Sequence, residues 1–412
     1  MKSHQRVKYA CYTTNLSMSV ISNLSPLLFL TFRSLYGISY TLLGLLVLVN
    51  FVTQLTVDLI FSFFSHKFNI PKTVRLTPVL AVVGLVLFAI APWLLPTAPY
   101  VGLLLGTVIF SASGGLAEVL ISPVIAAIPA ENPEREMSKL HSVYAWGVVG
   151  MILVATLFLL CFGGENWQWL ALLLAVVPLV SSVLFAGAAI PQMETPTRAS
   201  GVVKFLKMPT LWLCFFAIFL GGAAECTMAQ WSSGYLERAV GIPKMWGDIG
   251  GVAMFALMLG LGRSLYAKYG RHIETVLLAG AIGATACYLV AAVSSVAVLG
   301  LIACGVTGFC VSMLWPGCLV VASERVPSGG VFLYAMMAAG GDLGASIAPQ
   351  LVGSITDAAM ANARIISLAQ ELGLSAEQCG MKLGMLVAML FPLIAIGVYL
   401  YLVKTAKKYR KG

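Results

Sequence analysis

Charge is what this chain has least of: Lys, Arg, Asp and Glu make up 10% of its 412 residues, against about 25% in soluble domains. With 59% hydrophobic residues and a mean hydropathy of +0.94, that scarcity excludes a soluble globular protein. Cysteine supplies no disulfide framework either, because of nine Cys only Cys379 falls outside the long apolar stretches, and the rest suit small packing roles. No P-loop, zinc-ligand cluster or nucleophile elbow is present. ATP-driven pumping and hydrolysis therefore have no support, and neither an enzyme, nor a cofactor, nor a resident metal is expected.

Long hydrophobic runs are what the chain does have. A span of about 30 Å of hydrocarbon takes about 20 apolar residues, and twelve such stretches can be drawn: 9–32, 38–65, 74–95, 99–129, 137–162, 167–190, 209–235, 246–267, 273–294, 297–323, 330–356 and 381–403. The expected fold is all-α integral membrane, twelve helices in two six-helix bundles. The net charge of +9 follows topology rather than nucleic acid: of 25 Lys and Arg, only Arg33, Arg238, Lys244, Arg364 and Lys382 fall on the segments that are outer if the amino terminus is cytoplasmic. Both termini are thus expected inside. Helix 1 follows a basic leader but is long and polar and shows no convincing cleavage site, so it is taken as retained.

The longest inner connection divides the chain into a bundle at 1–190, a linker at 191–208 and a second bundle at 209–412. A faint internal repeat agrees with that division. Gly115, Pro123 and Gly147 recur as Gly308, Pro316 and Gly340, and Lys67 matches Lys268. Parallel halves of this kind are a recurring transporter plan.

Four carboxylates, Asp58, Glu118, Glu225 and Asp342, stand inside apolar stretches, and the sequence sets no Lys or Arg at comparable depth. Intramembrane acids are costly and mark ion or solute pathways by default. Glu118 follows Gly114 and Gly115; Glu225 precedes Gln230 and Trp231; Asp342 sits among Gly340, Gly341, Gly344 and Pro349; Asp58 lies below Gln54. On helix 1, Asn15, Ser19 and Asn23 recur every four residues and share a face. They either line a wet cavity or bond a neighbouring helix. Tyr144, Trp146 and Trp315 are candidate cavity aromatics, with packing as the alternative.

The segment Gly262-Arg263-Ser-Leu-Tyr-Ala-Lys268-Tyr-Gly270-Arg271 resembles the Gly-Arg-rich loop signature of the major facilitator superfamily. Its first copy, Ser62 to Lys72 with Lys67, has His66 where the family usually has Asp and Asn69 where it has Gly. The run GGLAEVLISPVIAAIP from Gly114 is similar to the fourth helix of fucose permease-like sugar symporters, which implies that Glu118 is a proton-linked, sugar-facing carboxylate. GGAAECTMAQWSSGYLE is similar to the Gly-Ala-Glu segment of hexose symporters and implies the same class of role for Glu225. LHSVYAWGVVG, with His141, Tyr144 and Gly147, fits the same pattern. Two departures stand out: helix 1 offers Asn15 and Asn23 where those symporters carry an acid, and Ser122 replaces the Asn before Pro123.

Together these features predict a monomeric carrier in the cell membrane, of prokaryotic inner or plasma membrane type. It is expected to move a small-molecule solute, a sugar or polyol, with protons or alternatively sodium, by alternating access. Its partners are then solute, cation and lipid bilayer, with no nucleic acid. An exporter of cationic or amphipathic compounds and a transport-inactive receptor are the other readings.

Overall fold

Glycine and proline decide where these helices break and where they touch. The computed structural model describes residues 2–64, 67–129, 133–191, 206–294, 296–326 and 330–409, and every regular element among them is helical. In the first half these are α1 (Lys2–Leu27), α2 (Phe29–Tyr36), α3 (Tyr40–Phe64), α4 (Ile70–Leu94), α5 (Pro99–Ala126), α6 (Pro133–Phe162), α7 (Trp167–Leu174) and α8 (Val176–Phe185). In the second half α9 (Pro209–Arg238) is followed by a π-helical segment, Gly247–Ala253, that runs into α10 (Met254–Tyr269). Then come α11 (Ile273–Val293), α12 (Ala297–Val311), α13 (Leu314–Arg325), α14 (Gly330–Ala361), α15 (Ala363–Glu371), α16 (Ala376–Ala388) and α17 (Leu390–Tyr409). Among the described residues nine helices are long and apolar enough to cross a membrane, or ten if the bent α1–α2 pair counts as one span. This is the build of a multi-pass integral membrane protein.

Several expected stretches are broken rather than continuous. The stretch 9–32 bends by 46° between α1 and α2, just after Pro26, which lacks an N–H for the helical ladder. The stretch 297–323 divides into α12 and α13 before Pro316, whose missing N–H leaves the Ser312 carbonyl free. The short amphipathic α15 was not expected from the sequence at all.

The chain separates into two units: Met1–Tyr36 with Val49–Ser200, and Gly37–Leu48 with Gly201–Gly412. The linker at 191–208 lies, for 192–205, outside the described residues. Segment 37–48, inside the stretch 1–190, groups with the second unit for local reasons. Asp357 of α14 receives the Tyr40 N–H on Oδ1 at 3.1 Å and the Thr41 N–H on Oδ2 at 2.6 Å. Gln350 Nε2 donates to Thr41 O at 3.1 Å, and a Cβ on Gly44 would meet Gln350 Cα at 3.0 Å.

Within the first unit, Trp167 is fully buried at the centre of an aromatic cluster with Phe32, Phe88 and Tyr36. Within the second, α9 is the axis. Tyr288 and Tyr399 donate their hydroxyls to Ala224 O at 2.8 Å and Ala217 O at 3.0 Å. The repeated glycines do the same work in each unit. A Cβ on Gly115 would meet Gln54 O and Val57 of α3 at 2.9 Å, while one on Gly308 would collide with the Phe255 carbonyl just before α10's second turn. Gly147 presses on Leu16 and Ser19 of α1, and Gly340 on Phe215 and Ile218 of α9.

Candidate functional site

In the first unit a polar ladder joins α3 to α5. Asn50, Gln54 and Asp58 recur every four residues on one face of α3, and all three are buried. Opposite them on α5, Ser111 donates to Asn50 Oδ1 at 2.6 Å. Gln54 Nε2 donates to the same oxygen at 3.1 Å. Gly114 and Gly115 let the helices close at the level of Gln54. One turn further, that approach brings the carboxylates of Asp58 and Glu118 to within 4.8 Å of one another. Asp58 is 5% exposed and its Oδ1 has no hydrogen-bond partner, whereas Glu118 presents accessible surface. Like charges this close interact well inside the screening length of about 8 Å at physiological ionic strength. The pair therefore favours taking up a cation.

Helix 1 does not supply the partner acid, and its asparagines have other occupations. Asn15 donates to Leu140 O of α6 at 2.6 Å, and Asn23 to Ser19 O of its own helix at 2.9 Å. Of the aromatic candidates on α6, Tyr144 is half-buried and Trp146 is 69% exposed. Two residues apart on a helix, they point to opposite sides and cannot line one cavity together. The side chains of His141 and Ser122, and residue His66, lie outside the described residues.

In the second unit the expectation that no base accompanies the acids fails at Glu225. Arg263 Nη2 donates to Glu225 Oε1 at 3.1 Å, and Arg263 Nε to Ser312 O at 3.0 Å. That carbonyl is the one Pro316 leaves without its helical donor. Gly262 makes room for the arrangement, since a Cβ there would press on the Ser312 side chain. Of the residues of the Gly-Arg-rich segment, Gly262, Arg263 and Lys268 lie within α10, and Gly270 and Arg271 follow its end. Lys67 and Lys268 are exposed, each with its ammonium 5.1 Å from a neighbouring ring centroid, Phe64 and Tyr269.

Cys226 lies within electrostatic reach of Glu225, Arg263 and Asp342 alike, so α9, α10 and α14 gather two acids and one base. Asp342 is buried, with Ser346 Oγ on its carbonyl at 2.6 Å. Trp315 is partly exposed and its six-membered ring packs close to Gly222 and Gly341, where a Cβ would meet it. Trp231 does not fit the role of a lining aromatic. It is 1% exposed, donates its indole N–H to Pro349 O at 2.9 Å and packs on Tyr40. Gln230 is likewise buried. Sequence reading missed Asn50 and Ser111, although the spacing of 50, 54 and 58 carried the signal. It also missed Asp248, fully buried in the π segment with Lys244 at 3.2 Å and Ser233 as partners.

Comparison with known proteins gives the same architecture. A bacterial homologue of the human lysosomal transporter Spinster, inward-facing and unoccupied, is similar over 99% of this chain and 98% of its own, with 14% identity and a TM-score of 0.71. The nucleoside transporter NupG is similar over 97% and 99%, with 11% identity and a TM-score of 0.71. A peptide transporter, POT, in complex with alafosfalin is similar over 98% and 94%, with 11% identity and a TM-score of 0.69. No curated protein sequence matches the chain. Residues 10–349 match the family model of the Major Facilitator Superfamily, and the chain belongs to that family of transporters.

Proposed function

We propose that this transporter moves a small polar solute, a sugar or polyol, together with protons by alternating access. The observation that carries the reading is the Asp58–Glu118 pair: two carboxylates within 4.8 Å, one buried with an unpartnered oxygen and one accessible. An accessible acid beside a buried one supplies both an entry point for a cation and a reason to hold it. Bound cation and bound solute then reinforce each other if both favour the same conformation. Solved relatives named for nucleosides and peptides support small polar cargo. The exporter of cationic compounds is less well supported, because Glu225, one of the four acids, already has a cationic partner in Arg263.

Purified protein in proteoliposomes tests the reading. Sugar or polyol uptake is expected to require an inward pH gradient and to fall to background in Glu118→Gln. Uptake driven by sodium without that gradient would replace the proton, and ligand binding with no flux under any gradient would remove transport itself.

A further inference from the structure

We propose that the solute carries an oxyanion, a carboxylate or a phosphate ester, and that Arg263 receives it when Glu225 takes up a proton; this rests on the solute-transport reading above. The Arg263–Glu225 contact is only half made. A carboxylate that satisfies an arginine fully uses both oxygens against two parallel N–H groups. Here Glu225 Oε1 alone is engaged, and Oε2 is buried without a hydrogen-bond partner. Arg263 is meanwhile anchored from behind by Nε on the carbonyl that Pro316 frees, while its side chain is 42% exposed and Nη1 makes no hydrogen bond among the described residues. A guanidinium held by Nε, with Nη1 unengaged and Nη2 released once Glu225 is protonated, is preorganised for a planar or tetrahedral oxyanion.

Electrostatics couples that binding to protons. Facing Glu225 is Arg263; the neighbouring Cys226 on α9 lies in reach of both and of Asp342 on α14. Of the other ionisable groups nearby, Glu237 lies twelve residues further along α9, Glu324 on α13 is exposed, and the following are engaged elsewhere. Asp248 is held by Lys244 and Ser233, Arg325 by Leu402 O and Thr405, Lys382 by Ala292 O and Ser294 O, Glu377 by Tyr40, and Tyr288 by Ala224 O. Lys404 is exposed on the last turns of α17. With Glu225 ionised, an incoming oxyanion meets a negative charge already seated on Arg263. With Glu225 protonated that repulsion is gone, and the oxyanion replaces the partner that Arg263 has lost. Proton and oxyanion therefore bind with positive coupling, expected at about 5–150-fold in affinity, as is usual for such linkage.

Thermal stabilisation of the purified protein by D-glucuronate, D-glucose 6-phosphate, inorganic phosphate and D-glucose, at mildly acidic and mildly alkaline pH, tests this. Wild type is expected to be stabilised by an oxyanion more strongly at the acidic pH. Glu225→Gln is expected to bind it more tightly with the pH dependence gone, Arg263→Gln to lose it, and Arg263→Lys to retain part of it. Response to glucuronate rather than the phosphate probes assigns a carboxylate, and the reverse a phosphate. Absence of any oxyanion response in Glu225→Gln overturns the inference. So does wild-type, pH-gradient-driven uptake of D-glucose that no oxyanion inhibits, an outcome that leaves the transport reading intact.

Discussion

At the scale of single residues, function shows as polar atoms left in poor company. Asp58 is the sharpest case: a buried carboxylate with an open oxygen, set within 4.8 Å of a second acid. A group that only stabilised the fold would not be kept so. Asp58→Asn removes the repulsion while keeping the shape, so it is expected to raise the thermal unfolding midpoint of the purified protein and abolish gradient-driven uptake together. Stabilisation at the expense of activity is the common signature of a functional site. Asn50 makes the opposite case. Ser111 and Gln54 share its side-chain oxygen, so Asn50→Leu strands two buried donors and is expected to cost about 1–3 kcal/mol, read as a lower unfolding midpoint. The acids were legible in the sequence because a charge in an apolar run is conspicuous. Their pairing was not, since it depends on the α3–α5 register that Gly114 and Gly115 set. Arg263 was hidden for another reason. Its loop-like motif directed attention to the end of α10, while its long side chain reaches back to an acid on another helix.

Among the elements, the helices themselves were plain from hydropathy, but their breaks and caps were not. Apolar runs give length without curvature, so the α1–α2 bend and the π-helical entry to α10 needed coordinates. Gly247, Gly250 and Gly251 explain the latter: Gly247 and Gly251 lie close to Ser233 and to Leu236 with Ser232, backbone proximity that larger residues would prevent. The start of α3 is held by a side chain distant in sequence. The first N–H groups of a helix lack intrahelical acceptors, and Asp357 takes two of them with a charge suited to the helix dipole. Asp357→Ala is expected to cost about 0.5–2 kcal/mol, with Asp357→Asn costing less, measured by thermal unfolding in detergent. Gly344 offers a steric counterpart on α14. A Cβ there would strike Phe219 O on α9, so Gly344→Val is expected to cost about 1–3 kcal/mol or more by overpacking, and Gly344→Ala less.

For the whole molecule, the division into units does not follow the chain from end to end. Segment 37–48 belongs to the second unit, although nearly all of the sequence before residue 200 belongs to the first. No inspection of hydropathy could reveal this, because α3 is one uninterrupted apolar helix whose first turns and remainder belong to different units. A fragment starting at Gly201 therefore lacks part of its own unit. It loses the two backbone donors on Asp357, the Thr41 carbonyl on Gln350, and the Tyr40 ring and hydroxyl that meet Trp231 and Glu377. Partly buried polar groups on α14 and α16 then lose these partners, and each such loss costs stability. The expected outcome is that fragment 201–412, expressed alone, is rapidly degraded by protease in detergent. Co-expression with fragment 1–200 restores resistance, and restores it less well when the shorter fragment carries Tyr40→Ala. Equal resistance of fragment 201–412 with and without its companion would mean that the second unit is complete without residues 37–48.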